Sequence, residues 1–194
     1  MKRALIGGGG HADEVESQIG EKFLRFVSDR FFKNDANTLP LSKFNPEYFE
    51  VMIAIGDSKK RFEVIKELPS ETKFFTFIHP TALLFDKNIK IGKGSFIGAY
   101  SILTTNIEIG EHSILNRSVH IGHDCNIEDF FSAMPGSIVS GNVIIGKNFY
   151  LGTNSSIREK IKICDDVIVG LNSGVVDNID KPGTYVGVPA KRLI

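Results

Sequence analysis

An excess of one charge is missing from this chain: 23 basic residues balance 23 acidic ones over 194 positions, for a formal net charge of zero. Such a balance offers no electrostatic case for nucleic acid or an anionic membrane as partner. Long apolar runs are also missing, as is a signal-peptide pattern, so the sequence supports neither a membrane-spanning nor a secreted reading. Cysteine is scarce. Cys125 and Cys164 are the only two, which makes no disulfide framework and suits a reduced, cytoplasmic setting.

What the sequence does contain is a period. From Phe85 to Asp180 an apolar residue returns every six positions without a slip, through Ile91, Ile97, Leu103, Ile109, Leu115, Ile121, Ile127 and on to Val175. A helix repeats near 3.6 residues and a flat strand near two, so a strict six predicts a solenoid of short strands and corners. The fourth residue after each apolar one is small or apolar as well, as at Ser95, Ser101, Ser113, Val119 and Cys125. That residue and the next frame residue flank an outward-pointing one and both face the core. The third residue is often Gly, Asn or Asp, as at Asn106, Asp124, Asn142, Asn148 and Asn154. These types tolerate the left-handed backbone of a tight corner. Three hexads per coil put Ile91, Ile109, Ile127, Ile145 and Ile163 in one inward column, at a strand spacing of about 4.8 Å.

This pattern resembles the hexapeptide-repeat acyltransferases, whose coils form a left-handed parallel β-helix, and the handedness is implied by that resemblance. The part before it reads differently. Lys2 to Ile6 is a strand candidate running into Gly7, Gly8, Gly9, Gly10 and His11, followed by a helix from Ala12 to Ile19. Such glycines let backbone N–H groups approach a phosphate at a helix N-terminus, though a plain tight turn would use them too. Ser28 and Asp29 end the next strand candidate, Lys22 to Val27, where an acid contacting ribose or base is expected. Gly56 and Asp57 repeat the logic between a strand at 50–55 and a helix at 58–68 that carries Arg61 in its first turn. A last strand, 73–78, ends at His79-Pro80. The expected fold is therefore α/β plus all-β: a small Rossmann-like βαβ domain at 1–78, then a β-helix domain with a C-terminal tail at 79–194. Half a dinucleotide fold suits one nucleoside diphosphate better than NAD.

The whole arrangement resembles the nucleotide-sugar N-acetyltransferases and sialic acid O-acetyltransferases, including the acetyltransferase of the bacillosamine pathway. The resemblance implies acetyl-CoA as co-substrate, a nucleotide-linked amino sugar, typically 4-amino-4,6-dideoxy, as acceptor, and a homotrimer with active sites between subunits. Two partly apolar outward faces, Phe96/Ile114/Ser132/Tyr150/Ile168 and Ile102/His120/Ile138, agree with a head-to-tail trimer, whereas the third, Lys90/Glu108/Asn126/Ile144/Lys162/Asp180, looks built for water. The resemblance also makes His123 the base that takes the proton of the attacking amine, a task neutral imidazole performs well near pH 7. Asp124 either orients that ring or only makes the corner. By the same resemblance Asn116 and His11 contact the sugar, and Gly141 donates its N–H to the thioester oxygen. Pro189, Ala190, Lys191 and Arg192 hold coenzyme A, unless the tail only caps the solenoid. His112, His120 and His123 occupy three different hexad positions without a histidine one coil away, so no metal is expected. The alternatives are an O-acetyltransferase of sialic acid or a similar sugar, and a non-catalytic nucleotide-binding module.

Overall fold

The structure is a computed structural model that describes residues 1–193. Five parallel strands come first: β1 (Lys2–Ile6), β2 (Leu24–Val27), β3 (Thr38–Pro40), β4 (Phe49–Ile53) and β5 (Lys73–Phe74). Their order is β3-β2-β1-β4-β5. Helix α1 (Gly10–Ile19) follows β1, and α2 (Ser58–Glu67) follows β4. The chain winds outward to β3 and then returns to the other side of β1, which opens a crevice at the strands' carboxyl ends. Ala4, Leu5, Ile6, Val51, Met52 and Ile53 are all buried, the continuous apolar run required of parallel strands covered on both faces. The sequence signals missed β3, whose three residues end in a proline tolerated at a sheet edge.

The strand expected over 73–78 is divided. Lys73–Phe74 pairs with β4, whereas Phe77–Ile78 pairs with Phe96–Ile97 in the solenoid. Phe75 and Thr76 turn the chain between two sheets, so the first solenoid strand lies inside the span expected for the first domain.

From there short strands alternate with corners; the first pairings, Phe77 with Phe96 and Leu83 with Ile102, span 19 residues, and from Lys90 to Val175 the strands pair in parallel 18 residues apart. Three sheets result, the sides of a left-handed triangular prism. The isoleucine column forms as the spacing requires, with Ile91 beside Ile109, Ile109 beside Ile127, Ile127 beside Ile145 and Ile145 beside Ile163. From Gly94 to Asn172 the third residue of every hexad has positive φ, including Tyr100, His112, Ser118, Phe130 and Lys160. Apart from His112, these are uncommon choices for that conformation. The cooperative stacking of the coils overrides local preference, so the period reveals the corners more completely than residue type does.

The α/β unit lies against the sheet that carries Phe96 and Ile114. Leu5, Ala12, Val15, Phe23, Met52 and Phe75 pack with both residues in one core cluster. This corrects one of the two faces expected at a trimer interface: Phe96 and Ser132 are wholly buried under the chain's own first domain. The second face remains bare, with Leu83 48% and Ile138 44% exposed and Ile102 and His120 between them.

A guanidinium locks the two parts together. Arg61 is buried and donates to the carbonyls of Ile55 and Gly56 at its own turn, and to His112 O, Phe130 O, Phe131 O and Ser132 Oγ on the solenoid. His112 sits beside it between Phe74 and Phe130, with Nδ1 lacking a partner. Burial first, and then the Arg61 charge, push the His112 imidazole down to about 4. Below its ordinary 6.5 the unfolded chain binds a proton there that the folded chain refuses. Stability is therefore lost as pH falls from 6.5 towards 4. His112→Asn tolerates the positive φ and does not titrate, so its melting temperature should depend less on pH across that window. Equal slopes for the two proteins would refute this assignment.

Candidate active site

His123 stands at the corner between the bare face and the third, polar face. Its side chain is 57% exposed, and Nδ1 lies 2.7 Å from Asp124 Oδ2. An ionised carboxylate accepts the Nδ1 proton, which leaves the Nε2 lone pair free as a base. Asp124 has φ of 58°, so it makes the corner and holds the ring at once. Hydrogen bonds from Asn106 first, then His123, keep its carboxyl below the usual range.

Gly141 occupies the same corner one coil further on. A Cβ there would fall 2.5 Å from His123 Nε2, so only glycine leaves the ring its place. The Gly141 N–H donates to no group among the described residues. Base and free donor thus sit side by side, the pairing an acyl transfer needs.

A cleft of about 620 Å³ opens at the carboxyl ends of β1, β2 and β4. Gly8, Gly9 and Ser28 line it, with the N-terminus of α1 beside them. No side chain caps that helix, and among its first residues the N–H groups of Gly10 and His11 carry no partner, an arrangement suited to phosphate oxygens. The sequence reading missed Arg30, Lys33 and Lys60, three cations on the same cleft. The signal was present, since two of them follow Asp29 within four residues.

Other expected contacts are spent within the fold. Asp29 accepts the Ser42 N–H at 3.1 Å and borders an adjoining cleft with Ser28. Asp57 caps α2 by accepting from Lys60 N. The Gly56 carbonyl takes both Arg61 and Ser132 Oγ. Arg61 is the clear correction: its N–H donors point at protein carbonyls in a buried pocket, so it does not reach a nucleotide phosphate.

Asn116 is buried at the corner between the docked and bare faces, with Oδ1 accepting the Arg117 N–H. Arg117 pairs with Glu14, and Glu14 lies 3.5 Å from His11 Nδ1. Burial pushes the His11 imidazole below its ordinary value, and its Nε2 is a buried atom without a partner. His11 and Asn116 therefore share one edge of the bare face, while His123 lies on the opposite edge. A single chain does not bring them together.

The tail turns back antiparallel, Tyr185 pairing with Arg192 and Val186 with Lys191. Tyr185 and Ala190 pack against the solenoid core, while Pro189, Lys191 and Arg192 are exposed. The tail thus caps the last coil and still presents two cations. Among the described residues no three of His, Cys, Asp or Glu gather as metal ligands, and no helix is long and apolar enough to cross a membrane.

No protein-family profile matches the chain. A GDP-perosamine N-acetyltransferase of Escherichia coli O157:H7 is 29% identical over 158 residues, covering 76% of this chain and 70% of that protein. The structure of WeeI from Acinetobacter baumannii AYE superposes with a TM-score of 0.88 at 25% identity, over 98% of this chain and 99% of that one. A mutant of the perosamine N-acetyltransferase of Caulobacter crescentus, solved with CoA and GDP-perosamine, gives 0.86 at 23% identity over 100% and 97% of the two chains. That last likeness is one of fold.

Proposed function

We infer that this chain is an acetyl-CoA-dependent sugar N-acetyltransferase of hexapeptide-repeat architecture, acting on the amino group of a nucleotide-linked amino sugar. The observation that carries this reading is the corner where His123, oriented by Asp124, lies against the unpartnered N–H of Gly141. A plain solenoid corner needs neither. The nucleotide-sized cleft with its bare helix N-terminus and three cations supports a nucleoside diphosphate as the acceptor's handle.

In the reaction the amine forms a C–N bond to the acetyl carbonyl carbon and the C–S bond breaks. His123 Nε2 receives the proton the amine sheds and returns it to the departing thiolate. The Asp124 carboxylate stabilises the imidazolium between those events, and the Gly141 N–H donates to the carbonyl oxygen as its charge grows. Coenzyme A would run along the solenoid from this corner to Lys191 and Arg192, whose charges suit its phosphates. The acetyl group is all that the co-substrate supplies. The two free thiols, Cys125 and Cys164, agree with a reducing, cytoplasmic setting.

The acceptor is proposed to be a 4-amino-4,6-dideoxy sugar. Release of free thiol from acetyl-CoA should require such a sugar nucleotide. Thiol release unaffected by the amine, or absent with UDP-, GDP- and dTDP-linked amino sugars alike, would exclude this reading.

The assembly is proposed to be a homotrimer whose active sites lie between subunits. His123 on one edge of the bare apolar face and His11 with Asn116 on the other would meet when that face packs head to tail around a three-fold axis. Light scattering at micromolar concentration should report three times the 21.4 kDa chain mass. A stable, active monomer would overturn the proposal.

A further inference from the structure

The corner aspartates of this solenoid mostly serve the backbone. Asp129 Oδ1 accepts the Glu111 N–H at 2.9 Å and Asp165 Oδ1 accepts the Lys147 N–H at 2.8 Å, each across one coil. Asp124 differs, because both its oxygens go to side chains: Oδ2 to His123 Nδ1 and Oδ1 to the Nδ2 amide of Asn106, at 2.6 Å. Asn106 lies one coil earlier in the same corner column. It is itself held, since its backbone N–H donates to Asp86 Oδ2 at 3.2 Å and Asp86 Oδ1 accepts the Asn88 N–H at 2.9 Å. The nearest comparison is the Asn148–Asp166 rung, which is 3.4 Å long and has no histidine beside it. A rung that serves only the turn has that looser form.

We propose that Asn106 is a positioning residue for acetyl transfer: its amide fixes the rotamer of the Asp124 carboxylate, which in turn fixes the His123 ring. A carboxylate on an exposed corner otherwise swings between solvent and ring. With one oxygen pinned by Asn106, the other points at Nδ1, and the base is held before substrate arrives. This inference rests on the base assignment made above for His123.

The substitution Asn106→Gly isolates the amide, because glycine adopts the positive φ of 51° found at Asn106 without strain, and Gly94 and Gly136 already fill the equivalent corner position. Turnover by thiol release should be compared across wild type, Asn106→Gly, Asp124→Asn, the double variant and His123→Ala. Asn106→Gly should lose between about 5-fold and 10²-fold in kcat, the range for a misplaced catalytic group, with KM for both substrates unchanged. In the Asp124→Asn background the same change should cost less than about 2-fold, because its effect passes through that carboxylate. Equal losses in both backgrounds, or near-native turnover of Asn106→Gly, would overturn the proposal. If His123→Ala is inactive while Asn106→Gly is native-like, only this inference fails. If His123→Ala retains turnover, the base assignment falls and this inference falls with it.

Discussion

His123→Ala should lower acetyl transfer by roughly 10²-fold to 10⁴-fold, the usual span for a positioned proton transfer. The loss should fall on kcat, because in the proposed reaction the ring meets the reacting atoms, while the cleft proposed for the nucleotide lies elsewhere in the chain, on the sheet that carries β1, β2 and β4. A thermal-shift titration with the nucleoside diphosphate should therefore give the same increment for variant and wild type, since that increment reports affinity for the native state. Stability should hardly change. The His123 side chain is more than half exposed, and the positive-φ residue of this corner is Asp124. Two results would sink the assignment: a variant with near-native turnover, or one whose lost activity is matched by a lost nucleotide response. The first would move the base to His11, the other histidine on the expected sugar path. The second would show that the change had disturbed the fold.

The solenoid was legible because its period is a property of the chain alone. One residue in six must face the core whatever the neighbours are, so the frame from Ile91 to Val175 declares itself without a partner sequence. The corner pair His123 and Asp124 was legible for a related reason, since adjacent residues at one corner share a neighbourhood by construction. Arg61 was not legible. Three residues after the Ser58 that opens α2, an arginine behind Gly56-Asp57 looks like a phosphate ligand, and only the docking of the solenoid turns it inward onto His112, Phe130 and Ser132. Burial of the Phe96 face escaped for the same reason: an outward apolar residue reads alike whether its cover is another subunit or the chain's own first domain. Asn106 was within reach, had the 18-residue column through Asn88, Asn106, Asp124 and Asn142 been read downwards as well as along the hexad.

Arg61→Ala should be the most destabilising single change in the molecule. Six hydrogen bonds disappear, and three of the carbonyls they reach, those of Ile55, His112 and Phe130, accept from nothing else among the described residues. Each orphaned buried acceptor costs about 1–3 kcal/mol, and water entering the vacated space recovers part of that, so a net loss of about 3–5 kcal/mol is expected. Against a typical total of about 5–15 kcal/mol this is a large share. For a chain of this size it means a melting temperature lower by roughly 6–20 °C. Burial pulls the guanidinium down to about 9, with the Asp57 charge working in the other direction, so the side chain is still a cation at neutral pH. Arg61→Lys keeps that charge but replaces a planar fork by a single point, which does not span both its own turn and the solenoid carbonyls. The lysine variant should therefore recover less than half of the loss. Because the solenoid core from Ile97 to Ile179 contains no residue of the first domain, calorimetry of Arg61→Ala should show two transitions, the α/β unit melting first and the coils later. A single transition within about 2 °C of wild type would mean that the apolar contacts at Phe96 and Ile114 dock the two parts without the guanidinium.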